Sequence, residues 1–318
     1  MLSERDYIQR DFFLNRLKKR DKHLKTWARR IETDCYRVYD RDIPEIPLAL
    51  DRYADTAVLY LYERPYEKDP AEETAWLALM QDVAAEALGI EPGFVFSRTR
   101  RRLGLEEQYE RSGGRGVTRI VREQGLKFLV NLSDYLDTGL FMDHRPGRAM
   151  VRARSSGKRI LNLYCYTGSF SVYALAGGAA TVTGVDLSNT YLSWAQENIR
   201  LNDLSTERYT GLREDTQAFL SRAARAGFRY DLIILDPPTF SNSKKMDAFL
   251  DINRHWPDLI RACSEVLAPD GFILFSTNAR KLRFDPSMVP AMHFQDIGDT
   301  SVPQDFRPRY HRAWMVTG

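Results

Sequence analysis

The sequence has few of the residues that build disulfide frameworks or membrane spans. Its three cysteines stand far apart among 318 residues, at Cys35, Cys165 and Cys263. That number and spacing exclude a disulfide framework and a cysteine-ligated metal site. There is no run of about 18 apolar residues, and the charged first residues contain no apolar segment, which excludes a transmembrane span and a secretory signal. We therefore expect a reduced, cytoplasmic protein that holds no metal.

Net charge is also low, at +3, because 46 basic residues nearly balance 43 acidic ones. The basic residues are nevertheless clustered. Residues 1–30 hold ten Lys or Arg against four acids, residues 98–122 eight against three, and residues 148–159 five against none. Basic clusters in a nearly neutral chain indicate local sites for a polyanion. A solvated surface face is the alternative for any one cluster.

The length suits two domains with a short extra arm. Residues 1–34 place apolar positions at helical spacing among many basic residues, which predicts a basic arm of one or two helices. Residues 35–139 predict a small α+β domain, with one helix that opens at Pro70 and several strands. Residues 140–318 alternate strand and helix, which predicts a doubly wound parallel α/β sheet. Two late strand-like runs are candidates for antiparallel pairing at one edge of that sheet.

Two segments are predicted in more local terms. Residues 105–119 are rich in glycine and arginine and predict a hairpin or loop. Residues 247–268 predict a helix that is broken or kinked near Pro257, because proline lacks the N–H that an interior helical position donates.

The stretch "YDLIILDPPTFSNSKK" combines a buried-strand pattern with an abrupt stop. Proline cannot donate to a sheet ladder, so the strand ends at or before Asp236. This places a carboxylate at the carboxyl edge of the sheet, where open α/β proteins bind their ligands.

Three further strand ends carry polar signals. The turn "YCYTGSF" has one glycine, Gly168, and lacks the G-x-G-x-x-G pattern, so no pyrophosphate cradle is evident. Asp186 ends the next strand and is placed to accept from both ribose hydroxyls of a nucleoside. Asp215 follows the third strand and is placed to accept from an adenine amino group. One glycine turn with strand-end acids favours a positively charged nucleoside without phosphates, which describes S-adenosyl-L-methionine. Singly, each acid is also an ordinary helix cap.

Several longer stretches carry a family resemblance over nearly the whole chain: "WARRIETDCYRVYDRDIPE", "NLSDYLDTGLFMDHR", "NLYCYTGSFSVYA", "DLSNTYLSWAQENIRLN", "DPPTFSNSKKM" and "QDFRPRYHRAWMVT". With these the chain resembles class I S-adenosylmethionine-dependent methyltransferases. It is most similar to the guanine-N7 methyltransferase half of the bacterial bifunctional large-subunit ribosomal RNA methyltransferases. Those members carry a second methyltransferase half, whereas this sequence shows one glycine turn and one Pro-Pro motif.

The resemblance implies a Rossmann-like catalytic domain, S-adenosyl-L-methionine as cofactor, and ribosomal RNA of the large subunit, naked or in a precursor particle, as partner. It also implies that Phe141, Asp143 and Arg145 help to close the cofactor pocket. By pattern alone, Asp143 is equally a helix N-cap and Arg145 an exposed helix residue. The cofactor-binding candidates are therefore Phe141, Asp143, Arg145, Tyr164, Thr167, Gly168, Ser169, Phe170, Asp186, Leu187, Ser188, Asp215, Thr216 and Asp236.

The candidates for the chemistry follow from what guanine N7 requires. Its in-plane lone pair is free at neutral pH, so methyl transfer needs positioning rather than a general base. A flipped base also needs an aromatic face and hydrogen bonds. Phe240 is the stacking candidate, and Asp236 either accepts from the base or orients the turn. The catalytic candidates are Asp236, Pro237, Pro238 and Phe240.

Other residues receive weaker interpretations. Cys165 and Cys263 are predicted to pack in the core, His144 has no predicted catalytic role, and the pair Asn198 and Asn202 is predicted to tie its helix to a loop. RNA contacts are predicted for the N-terminal basic helix and for Arg98, Arg100, Arg101, Arg102, Arg115, Lys244 and Lys245.

Two rival functions stay open. One is methylation of another RNA atom, such as cytosine C5 or an exocyclic amine, or of a small molecule. The other is an RNA-binding ribosome assembly factor that keeps the fold without turnover.

Overall fold

The structure is a computed structural model that describes residues 2–64, 68–100, 116–135, 137–241, 250–279, 281–306 and 310–318. It divides into two compact units, Met1–Thr138 and Gly139–Gly318. Within the described ranges, no helix combines the length and the apolar character that crossing a bilayer requires.

The first unit packs two helices on a four-stranded sheet. Strands β1, β2 and β3 are antiparallel neighbours, and β4 joins β3 in parallel after the α2 crossover. The apolar faces of both helices meet one face of this sheet in a single core. The elements are α1 (Glu4–Arg30), β1 (Cys35–Asp40), β2 (Leu48–Tyr53), β3 (Thr56–Tyr62), α2 (Pro70–Leu88), β4 (Val95–Arg100), β5 (Thr118–Glu123) and β6 (Leu126–Asn131).

Capping residues set the helix limits of this unit. The basic arm forms one helix, α1, which begins at a capping box: the Ser3 hydroxyl accepts from the Asp6 N–H, and the Asp6 carboxylate accepts from the Ser3 N–H. Helix α2 begins where the Asp69 carboxylate caps it, with Pro70 as its first residue, and ends at Gly89, whose φ is +62°.

Strand β5 was missed by the sequence prediction. It pairs with β6 as an antiparallel hairpin, and the two turn residues, Gln124 and Gly125, both have positive φ. Its pattern is weak because charged and apolar residues alternate and half of its side chains face solvent. The predicted loop over residues 105–119 lies largely outside the described residues.

The second unit is the predicted doubly wound α/β sheet. Its seven strands run in the order β14-β15-β13-β10-β7-β8-β9, with the last five parallel and β14 and β15 antiparallel, as predicted for the two late runs. The elements are α3 (Arg145–Ala153), β7 (Arg159–Leu163), α4 (Ser169–Ala176), β8 (Thr181–Asp186), α5 (Asn189–Leu201), β9 (Tyr209–Arg213), α6 (Thr216–Arg225), β10 (Tyr230–Leu235), β11 (Phe240–Ser241), β12 (Leu250–Asp251), α7 (Ile252–Ser264), β13 (Leu267–Thr277), β14 (His293–Asp296), α8 (Gly298–Ser301) and β15 (Arg312–Thr317).

Strand order locates the ligand-binding edge. The chain leaves β7 toward β8 and β9, then returns to place β10 on the other side of β7. The crevice above the carboxyl ends of β7 and β10 is therefore the topological switch point, where open α/β sheets bind ligands.

The helix predicted over residues 247–268 differs in its limits and its shape. Helix α7 begins at Ile252, where the Asp251 carboxylate accepts from the Asn253 N–H, and runs unbroken through Pro257. The predicted break at Pro257 was therefore wrong.

Candidate active site

The turn after β7 has an unusual backbone. Tyr164, Tyr166 and Gly168 all adopt left-handed φ angles, of +54°, +50° and +73°. Such angles strain non-glycine residues and cluster at functional sites, where the surrounding structure holds them in place. Helix α4 begins directly after the turn without a side-chain cap, so its first N–H groups are not satisfied in that way.

Gly168 allows a close approach, although not the one predicted from sequence. A Cβ atom at this position would lie 2.6 Å from the Cβ of Ala195 in α5. The glycine therefore lets the turn pack against a neighbouring helix, and its positive φ adds a second reason for its presence.

Two buried polar side chains fix the same turn from behind. The Thr167 hydroxyl donates to the carbonyl of Gly139, and the Asn198 amide donates to the carbonyl of Thr167 at 2.9 Å. The predicted role of Asn198 in tying its helix to a loop is confirmed, and Asn202 in turn donates to the Asn198 carbonyl. The Thr167 side chain is fully buried, so it supports the turn from inside the protein.

Asp186, at the end of β8, faces this turn. Its Oδ2 accepts from the Tyr166 N–H at 3.0 Å, and its Oδ1 accepts from the Ser188 N–H at 2.9 Å. Burial raises the pKa of Asp186, while the N–H groups of Ser188, Tyr166 and Leu187 oppose that rise. Each carboxylate oxygen can accept a second hydrogen bond, so the side chain is oriented for two further donors. Ser188 also caps α5, where its hydroxyl accepts from the Tyr191 N–H.

The acid after β9 combines both of its predicted roles. Asp215 is the N-cap of α6, where its Oδ1 accepts from the N–H groups of Gln217 and Ala218. Among the described residues its Oδ2 has no hydrogen-bond partner and is available to a ligand. The neighbouring Thr216 is buried and hydrogen-bonds the Tyr164 hydroxyl, whose pKa is raised by burial.

Asp236 directly follows β10 at the switch point. The Ser276 hydroxyl, near the end of β13, donates to its Oδ1 at 2.6 Å. Its Oδ2 lies 3.7 Å from Nε2 of His144. Pro237 is buried and Pro238 half-buried, so the turn after the carboxylate is stiff and packed. Phe240 lies in β11, which pairs with β12, and its side chain is outside the described atoms.

A buried histidine pair beneath Asp236 was missed by the sequence analysis. The rings of His144 and His311 stack at 4.1 Å with only 6° between their planes. Nδ1 of His311 lies 3.0 Å from Oδ2 of Asp143, and its Nε2 lies 3.2 Å from the Ser301 hydroxyl. Burial lowers the pKa of His144, against the opposing effect of Asp236 and Asp143, which favours a neutral ring at neutral pH.

The same cluster is the only group of described residues with metal-ligand composition: Asp143, His144 and His311. A ring nitrogen directs its lone pair in the plane of its own imidazole. Two nearly parallel rings stacked face to face therefore cannot direct both lone pairs at one ion. As placed, the cluster is a hydrogen-bonded pair rather than a ligand set.

The segment before α3 is anchored by buried charges. Arg145 donates to Asp305 at 3.0 Å, and both side chains are almost fully buried. Arg148 is also buried and donates to the Phe141 carbonyl. The alternative predictions were wrong: Arg145 is not an exposed helix residue, and Asp143 is not the N-cap of α3, a position that His144 takes without a side-chain cap.

Aromatic rings flank the glycine turn. Phe141, which is partly exposed, lies 5.3 Å from the Tyr166 ring, and Tyr166 meets Tyr191 edge to face at 4.5 Å. Ser169 is half-buried and Phe170 buried at the start of α4. Leu187 is half-buried beside Asp186. The cofactor-binding candidates thus share one sheet edge, although Thr167 and Arg145 have their side chains turned into the protein.

The predicted RNA-binding residues are described only in part. Arg98 is half-buried and donates to the Asn131 carbonyl. Arg100 ends β4, with its side chain outside the described atoms. Lying outside the described residues altogether are Arg101, Arg102, Arg115, Lys244 and Lys245.

Comparison with known proteins identifies the family. The sequence profile of S-adenosylmethionine-dependent methyltransferases matches residues 70–300. The chain belongs to this family. Its cofactor is S-adenosylmethionine, as the single-glycine turn and the strand-end acids predicted.

Two curated relatives share more than two fifths of their residues with this methyltransferase. It is 46% identical over 305 residues to ribosomal RNA large subunit methyltransferase K of Neisseria meningitidis, covering 96% of this chain and 86% of that protein. It is 42% identical over 310 residues to the K/L protein of Shewanella sp. (strain ANA-3), covering 96% of this chain and 44% of that protein. The methyltransferase thus spans most of the K relative and less than half of the K/L relative.

Solved structures support the fold. The structure of SMU.776 complexed with SAH has a TM-score of 0.73 at 23% identity, covering 97% of this chain and 82% of that one. The SAM-dependent methyltransferase from Agrobacterium tumefaciens has a TM-score of 0.59 at 21% identity, covering 85% and 86%. These likenesses confirm the Rossmann-like methyltransferase fold.

Proposed function

We propose that this chain is a large-subunit (23S) ribosomal RNA methyltransferase that acts in the cytoplasm and methylates guanine at N7. The relatives named K and K/L support the RNA substrate. The observation that carries the choice of atom is the chemistry at the switch point. A fixed carboxylate, Asp236, stands there, while the cysteines of this unit are buried in the core.

The chain's own residues explain how the cofactor would be held. S-adenosylmethionine supplies the methyl group. Asp186, already oriented by two backbone N–H groups, would accept from the ribose hydroxyls with its remaining lone pairs. The free Oδ2 of Asp215 would accept from the adenine amino group. The absence of a G-x-G-x-x-G turn fits a nucleoside that carries no phosphates.

Asp236 would act on the base. Guanine N7 needs no deprotonation, but the base gains positive charge as N7 accepts the methyl group. A carboxylate that accepts from the guanine N1–H or amino group stabilises that charge more in the transition state than in the ground state. The Ser276 hydroxyl occupies Oδ1 and leaves Oδ2 toward the base. Phe240 remains the stacking candidate.

The rival of cytosine C5 methylation requires a thiolate nucleophile. Cys165 and Cys263 are buried, and burial raises the pKa of both thiols, so neither is suited to that role. Exocyclic-amine methylation and an inert assembly factor are separated from the proposal by experiment.

The test supplies methyl-labelled S-adenosylmethionine with unmodified 23S RNA or with large-subunit precursor particles, and identifies the product by nucleoside mass spectrometry. The proposal predicts 7-methylguanosine. It also predicts that Asp236→Asn lowers kcat by about 10- to 150-fold, the value of one charge-assisted hydrogen bond. The matched variant Asp231→Asn, which alters an acid of the same strand at the opposite sheet edge, should retain activity.

Three outcomes contradict the proposal, each in a different way. A methylated cytosine or exocyclic amine would move the reaction to another atom. Methylation of a small molecule alone would remove the RNA substrate. Cofactor binding without any transfer to either RNA preparation would favour the inert assembly factor.

A further inference from the structure

Helix α1 presents to solvent a face that the proposed function does not use. The opposite side of the helix is buried against the first unit through Phe13, Leu17 and Leu24, among others. The exposed side repeats every three or four residues, so it forms one continuous stripe. We call this stripe the outer face of α1; its residues are Arg5, Ile8, Phe12, Asn15, Lys19, Lys22, Thr26 and Arg29.

The second half of the outer face is basic and unpaired. Among the described residues, Lys19, Lys22 and Arg29 form no ion pair. The neighbouring Lys18 and Lys25, by contrast, are neutralised by Glu86 and Asp21. At 1.5 Å per residue, the unpaired cations from Lys19 to Arg29 extend over about 15 Å. No acid stands among them, so this half attracts a polyanion.

The first half of the outer face is apolar. Ile8 and Phe12 are 48% and 58% exposed, and Tyr7 beside them is 51% exposed. The nearby Asp11 is paired with Arg10 at 2.7 Å. Exposed large side chains grouped on one helix face mark an interaction site more often than isolated ones do.

We propose that the outer face of α1 binds RNA at a place where an unpaired base adjoins a stretch of backbone. The unpaired cations contact phosphates, and Phe12 stacks on the unpaired base. The base pairs of an A-form helix are closed to such stacking, whereas loops and single strands offer it. Aromatic rings next to a cationic track are the combination that single-stranded segments require. This inference rests on the proposed function only in taking RNA as the substrate.

The test uses two synthetic probes, an RNA stem-loop with an unpaired oligouridine loop and a fully paired RNA duplex of the same stem. Binding is measured by fluorescence anisotropy over a range of salt concentrations. Lys19→Gln with Lys22→Gln should reduce the slope of log affinity against log salt by about 1.4–1.8, the value of two phosphate contacts. The matched control, Lys18→Gln with Lys25→Gln, removes the same charge from paired lysines and should leave the slope unchanged.

Phe12→Ala tests the aromatic half. It should weaken stem-loop binding by about 5- to 150-fold, with an unchanged salt slope and little effect on the duplex. Phe94→Ala, which removes another exposed aromatic of the same unit, should change neither. Circular dichroism and calorimetric titration with S-adenosylhomocysteine on every variant show that the fold and the cofactor site are intact.

Three results overturn the proposal. The first is no RNA binding by the unchanged protein at low salt. The second is equal salt slopes for both lysine pairs. The third is a change of oligomeric state on Phe12→Ala, measured by light scattering, with RNA binding unaltered, which would assign the face to a second copy of the chain. Failure of the methylation reaction is recorded separately and does not alter these binding results.

Discussion

Replacing Asp186 by asparagine is the sharpest test of the cofactor site. The carboxylate accepts from two backbone N–H groups, at Tyr166 and Ser188, and would accept from two ribose hydroxyls. Asparagine keeps one acceptor oxygen and puts a donor in place of the other. One charge-assisted hydrogen bond to the ribose is lost, which costs about 1.5–3 kcal/mol. The dissociation constant for S-adenosylhomocysteine should therefore rise about 10- to 150-fold.

The same substitution also turns an amide N–H₂ toward one backbone N–H. The unsatisfied group should lower the free energy of unfolding by about 1–3 kcal/mol. Titration calorimetry measures the affinity, and thermal unfolding measures the stability. Asp231→Asn is the matched control, because Asp231 accepts from the backbone N–H of Arg159 in the same sheet but at its opposite edge. Unchanged affinity in Asp186→Asn, or an equal loss in Asp231→Asn, would refute the assignment.

Three further predictions concern stability. Gly168→Ala should lower the free energy of unfolding by about 2–4 kcal/mol, through positive φ and a steric clash, whereas Gly157→Ala, with φ +69° and open space, should cost only about 1 kcal/mol; chemical denaturation distinguishes them. Arg145→Met should cost about 3–5 kcal/mol by leaving Asp305 buried without this partner, and adding Asp305→Leu should recover part of that loss; equal losses would contradict the ion-pair account. Burial lowers the pKa of His144 below 6.5, so the unfolded chain binds its proton more readily and stability falls as pH drops below that value; His144→Asn should flatten this part of the thermal stability profile.

The strand and helix order of the second unit could be predicted because its strands are buried on both faces. Strands such as Tyr230–Leu235 are nearly continuous apolar runs, and the polar residue that follows each run marks the sheet edge. The positions of Asp186, Asp215 and Asp236 follow from that rule. Strand β5 escaped prediction because its alternating charges resemble a loop when only one face is covered.

The histidine pair could not be predicted from local pattern. His311 meets Asp143 across 168 residues of sequence, and Arg145 meets Asp305 across 160. These contacts depend on β15 returning antiparallel beside β13, which brings the C-terminal segment next to the start of α3. The motif "LFMDHR" marked the N-terminal partners, but nothing in the sequence identified the C-terminal ones.

A crystal structure with bound S-adenosylhomocysteine tests the central claim most directly. The account predicts that both ribose hydroxyls lie within hydrogen-bond distance of the Asp186 carboxylate. It also predicts that the sulfur faces the crevice between the ends of β7 and β10, beside Asp236. A ligand seated elsewhere, or with its sulfur turned away from Asp236, would contradict the account.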